Sequence, residues 1–144
     1  MQSASNPGMS IIMKANLLKF FSTAALSLLV SLAAYAADVI VIANPGVNLS
    51  AGDVRDIFLG EKQFAGSTRL SPVDNAALQE SFLSKLIQMT SAKYTGIWTK
   101  KAFRDGLTAP AMKSGDAEVI EYVKRTPGAV GYVANAPAGV NIVK

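Results

Sequence analysis

The chain has 144 residues, half of them apolar, a formal charge of +4, and neither cysteine nor histidine. Without those two residue types, disulfides, zinc, haem and iron–sulfur centres lose their usual protein ligands, and a serine nucleophile loses its ordinary base. The length suits one small domain behind a leader.

Lys14 and Lys19 precede an apolar run from Ala24 to Leu32, and Ala34-Tyr35-Ala36 supplies the small residues a signal peptidase requires. The run falls short of the ~20 apolar residues of a membrane span. Residues 1–36 therefore read as a secretory signal peptide, with a retained amphipathic anchor as the alternative and Met9 or Met13 as possible internal starts. Residues 37–144 read as one exported domain. Cleavage would remove Lys14 and Lys19, and the slight basicity left singles out no partner. An export signal without a lipobox cysteine points to a soluble protein of a bacterial periplasm.

Asp38-Val39-Ile40-Val41-Ile42-Ala43-Asn44 is a nearly continuous β-branched run ending at Pro45-Gly46, as expected of a strand covered on both faces. Ser50 with Asp53 resembles a capping box, and Val54, Ile57 and Phe58 form the apolar stripe of a short helix ended by Gly60. Glu61 to Ser67 reads as a polar loop before a strand from Arg69 to Val73. Pro72 cannot donate to a ladder, which places that strand at an edge or at its end. A helix is expected to open at Asp74/Asn75, burying Leu78, Phe82, Leu86 and Met89. The next helix carries Tyr94, Ile97, Trp98 and Ala102 on one face. Leu107 to Gly115 reads as irregular. A fourth helix begins near Asp116 and carries Val119, Ile120 and Val123, with Lys124 and Arg125 complementing the dipole in its last turn. Thr126-Pro127-Gly128 stops it, and strands follow at Ala129–Val133 and Val140–Val143. This alternation predicts an α/β three-layer sandwich.

The turn after the second strand is the candidate ligand site. A helix opening there would leave backbone N–H groups and the positive dipole end for an anion, outside the carboxyl end of a strand. The candidate ligand-binding residues are Asp74, Asn75, Ala76 and Ala77, with Arg69 as the cation nearest in sequence. As the bland alternative, Asp74 and Asn75 simply cap the helix. Lys100, Lys101 and Arg104 read as a solvated face, and Trp98 with Tyr94 as core. No nucleophile and base, paired carboxylates, Walker loop or dinucleotide fingerprint occurs, so catalysis, cofactors and a metal are not expected. Scattered lysines in an exported chain give no reason to expect nucleic acid.

Ile57-Phe58-Leu59-Gly60-Glu61-Lys62, the Arg69 to Asp74 segment, Phe82, Trp98, Phe103 and Thr126-Pro127-Gly128-Ala129-Val130-Gly131-Tyr132-Val133 together resemble the phosphate ABC transporter substrate-binding proteins, above all their short single-lobe members. The resemblance implies a single lobe of a type II periplasmic binding protein, phosphate or a related small oxyanion as ligand, and a membrane permease as partner. Relative to the family's binding turn, Asp74 is kept. Pro72 stands where the family has an arginine, and Ala76-Ala77-Leu78 where it has Ser-Gly-Thr. Each lost hydrogen bond to a charged group is worth about 1.5–3 kcal/mol. A non-catalytic protein-interaction or sensory lobe is therefore the rival reading. It expects an exposed apolar patch or a homodimer on the face that would meet a second lobe.

Overall fold

In a computed structural model, residues 38–144 are described; the expected signal peptide and its start codons lie outside them. The elements are β1 (Ile40–Ala43), α1 (Ala51–Phe58), β2 (Phe64–Ala65), β3 (Thr68–Arg69), β4 (Ser71–Asn75), α2 (Gln79–Phe82), α3 (Ser91–Asp105), β5 (Ala111–Lys113), α4 (Asp116–Arg125), β6 (Ala129–Val133) and β7 (Asn141–Ile142). Five strands form one mixed sheet in the order β5-β4-β6-β1-β7. β4 runs parallel to both its neighbours, whereas β1 is antiparallel to β6 and β7.

Strand periodicity divides the core into two layers. Val41, Ala43, Val130 and Tyr132 point to the side covered by α1, α2 and α3, where they meet Phe58, Phe82, Leu83 and Trp98. Ile42, Val73, Ala129 and Val133 point the other way, onto Val119 and Val123 of α4. Because β6 is buried at every residue, both faces of the sheet must be apolar. The three-layer α/β sandwich expected from the sequence is the fold found. Its first face centres on an aromatic cluster, in which Phe82 stacks on Tyr132 at 3.9 Å between centroids and meets Phe58 edge-on at 4.7 Å.

The capping box is present. The Asp53 carboxylate accepts the Ser50 N–H at 2.8 Å and the Ser50 hydroxyl at 2.9 Å, and it also accepts Lys62 Nζ at 2.8 Å. The Lys62 ammonium and the Ser50 donors lower the Asp53 pKa to about 2. Asp53→Ala removes all three bonds and is expected to cost about 1–2 kcal/mol in urea unfolding; an unchanged midpoint would show the box to be ornamental. Because the folded pKa lies below the unfolded one, this contribution is present above the ordinary carboxylate range and fades as pH falls through about 2.

Four local expectations are corrected. Glu61 to Ser67 is not a plain loop, since β2 and β3 close a hairpin in which Ala65 faces Thr68. Leu107 to Gly115 is not wholly irregular, since it contains β5. Pro72 does not mark an edge strand. It pairs in register with Val130 of β6, whereas β5 joins β4 only from Val73 onward, so the missing N–H falls where β5 has no partner to offer. The second helix is short, four α-helical residues passing into a π-helical stretch, Leu83–Ile87, that ends at Gln88 in the left-handed conformation. The wider turn takes Leu86 off the buried stripe and leaves it 43% exposed.

Candidate functional site

The helix expected to open at Asp74/Asn75 opens instead at Gln79, because β5 keeps β4 extended as far as Asn75. The amides of the turn are then used by the protein itself. The Ala76 N–H donates to the Lys113 carbonyl at 2.9 Å, the Ala77 N–H to Asn75 Oδ1 at 3.1 Å, and the Leu78 N–H to the Asn75 carbonyl at 3.0 Å. Ala76 and Ala77 are exposed, but their N–H groups already have these acceptors.

Asp74 and Asn75 are buried, at 2% and 0% exposure, and both act as staples. Asn75 Nδ2 donates to Asp116 Oδ1 at 2.8 Å and to the Tyr132 carbonyl at 3.0 Å, tying β4 to α4 and β6. The Asp74 carboxylate accepts the Tyr132 hydroxyl at 2.9 Å and the Tyr94 hydroxyl at 3.0 Å, tying β4 to β6 and α3. Burial pushes the Asp74 carboxyl above its usual range, against the opposing pull of the hydroxyls and Gln79. Burial, and then the Asp74 charge, push both tyrosine hydroxyls upward as well, so they remain donors.

The sequence-derived candidates fall on two neighbouring cavities. Arg69, exposed on β3, lines the smaller, about 170 Å³, with Lys62, Gln63, Gly60, Pro72, Trp98, Leu107 and Thr108 among its walls. Asp74 lines the larger, about 510 Å³, with Gln79, Tyr94, Thr95, Thr99, Met112 and again Trp98, Leu107 and Thr108. The structure thus brings Asp74 and Asn75 together at the end of β4 and places Arg69 in a separate compartment.

Among the described residues Arg69 takes part in no ion pair, while Lys62 shares its charge with Asp53. Trp98, which lines both cavities, is anchored at its indole. Trp98 Nε1 donates to the Phe58 carbonyl at 3.1 Å, and its ring lies so close to Gly60 that a Cβ there would come within 2.7 Å of it. Lys101, expected on a solvated face, is 8% exposed and bonds Glu61 at 2.7 Å. Lys62 stands in a segment legible in the sequence. Gln63 and Thr108 had no signal of their own, being polar residues in connecting segments whose convergence depends on the tertiary fold.

Two solved structures are similar to this chain. One is an ABC-type phosphate transport receptor from Vibrio cholerae, 12% identical with a TM-score of 0.45, the match covering 74% of this chain and 45% of that one. The other is PstS from Borrelia burgdorferi, 17% identical with a TM-score of 0.43, the match covering 73% of this chain and 46% of that one. The chain therefore spans under half the length of either. No family model and no curated protein matches the sequence. No helix among the described residues is long and apolar enough to cross a membrane.

Proposed function

We propose that the chain is an exported, non-catalytic binding module of the periplasmic type, serving ABC-type uptake of phosphate or a related small oxyanion, with Arg69 rather than the Asp74 corner holding the anion. The supporting observation is the Arg69 cavity itself. Its volume of about 170 Å³ suits a small anion, and Lys62, Gln63 and Thr108 stand round it as further donors. A guanidinium offers a planar fork matched to two oxyanion oxygens, which a lone ammonium cannot do. The sequence resemblance to the phosphate receptors adds to this reading, and a membrane permease is the partner it implies.

Calorimetric titration of the purified protein with phosphate and sulfate tests the proposal. Saturable heat is expected, with Arg69→Ala weakening phosphate binding about tenfold, within the range of one charge-assisted hydrogen bond. Absence of heat with both anions at millimolar concentration would overturn it.

One observation favours the interaction or sensory reading. Phe103 is 90% exposed and follows Thr95 and Thr99 along one face of α3, beside the larger cavity whose wall includes Met112, itself 52% exposed. A homodimer or a membrane sensor docking there would cover Phe103. Sedimentation velocity decides the homodimer: a concentration-dependent dimer that Phe103→Ser abolishes supports it, and a monomer at all concentrations excludes it.

A further inference from the structure

The Arg69 cavity does not stand alone. Trp98, Leu107 and Thr108 belong to its walls and equally to those of the larger cavity, so the two compartments adjoin across these residues. Their chemistry is divided. Arg69, Lys62 and Gln63 line only the first. Among the described residues the second has no lysine or arginine in its walls, which include Ala102, Ala109, Pro110 and Met112 together with Asp74 and Gln79. An inorganic oxyanion has no apolar surface and would leave those walls without a partner, whereas ligand sites of this volume ordinarily enclose an apolar body with a few polar anchors.

We infer that the ligand class is an organic oxyanion: a phosphoryl or similar head seated at Arg69, carrying an apolar body that passes Trp98 into the larger compartment. The inference rests on the proposed anion seat and deepens it. It also assigns a selectivity role to Asp74. With the Asp74 carboxyl on the wall of the second compartment and Arg69 and Lys62 confined to the first, a second anionic group at the tail would lose its water and meet no cation, so ligands charged at one end are accepted and those charged at both ends are rejected.

Trp98 is the single tryptophan of the chain and stands in the shared wall, so its emission reports filling of the compartments. The purified protein is titrated with inorganic phosphate, phenyl phosphate and para-carboxyphenyl phosphate, following Trp98 emission and calorimetric heat. Phenyl phosphate is expected to bind at least about tenfold more tightly than phosphate, and the analogue charged at both ends to lose most of that gain. In Ala102→Phe, where a ring on an exposed helix position projects into the larger cavity, the ratio of the phenyl phosphate to the phosphate affinity is expected to fall towards one.

Equal affinity for phosphate and phenyl phosphate would overturn the inference and leave the Arg69 seat intact. A phenyl phosphate advantage that survives Ala102→Phe, or that the carboxylated analogue shares in full, would overturn the placement of the body or the role of Asp74. No binding of any of the three would overturn both the inference and the anion seat.

Discussion

Gly128→Ala is expected to destabilise the protein by about 2–5 kcal/mol, combining the left-handed strain of a non-glycine residue with an overpacked contact. Gly128 has φ +79°, and a Cβ built on it would lie 2.0 Å from the Arg69 carbonyl oxygen and 3.1 Å from the carbonyl carbon. Those are backbone atoms, which cannot escape by changing rotamer. The Gly128 carbonyl also accepts the Ser71 N–H at 2.8 Å, so the same residue that presses on Arg69 fixes the start of β4. A loss of this size is a large share of the roughly 5–15 kcal/mol that holds a typical domain together. The fraction that still folds must move β3, and with it the Arg69 cavity, so weaker oxyanion binding is expected alongside the lower urea midpoint. Gly96→Ala is the control. Gly96 lies within α3, and a Cβ there meets nothing within 4 Å, so alanine should stabilise by about 0.5–1 kcal/mol. Equal midpoints for Gly128→Ala and the wild type would contradict the close approach.

The sandwich was legible in the sequence because its main elements carry their own periodicity. Val39 to Ile42 announces a doubly covered strand, Val54, Ile57 and Phe58 one helix stripe, Tyr94 and Trp98 another, and Val119 and Val123 a third; each group is buried as its spacing requires, apart from the strand's half-buried start at Val39 and Ile40. What escaped was everything set by partners distant in sequence. Ala111-Met112-Lys113 has no apolar alternation and follows Pro110, yet it becomes a strand because β4 offers it a parallel edge. That pairing in turn prolongs β4 to Asn75 and consumes the amide of Ala76, which is why a helix start drawn from local caps lay several residues too early. Asp74 and Asn75 were visible as polar residues at a strand end. Their use as buried staples was not, since it depends on hydroxyls of Tyr94 and Tyr132 and on Asp116, 20, 58 and 41 residues away in the chain. Arg69 was legible as a candidate cation, but Gly60, Gln63 and Thr108 reach its cavity only through the hairpin and the turn after α3.

Tyr132→Phe keeps the ring that stacks on Phe82 and deletes one donor to a carboxylate that is 2% exposed. Where Asp74 is ionised the expected cost is about 1.5–3 kcal/mol, the value of a hydrogen bond to a charged group, because Tyr94 and Gln79 are then left to solvate Asp74. The pH dependence distinguishes this from a mere packing loss. Asp74 has a folded pKa above its unfolded one, so between those two values the folded state binds more protons and stability falls as pH rises. Removing the Tyr132 hydroxyl takes away an influence that lowers this pKa, which pushes it higher and extends the window upward. The deficit of the variant should therefore be greatest above the folded pKa, where Asp74 is charged, and shrink as pH falls towards the ordinary carboxylate value of about 4. Asp53 titrates with the opposite sign in both proteins and cancels in the difference. Urea unfolding of wild type and variant on both sides of the folded Asp74 pKa measures the effect, and a deficit of the same size on either side would mean that the hydroxyl acts through packing and not through the Asp74 charge.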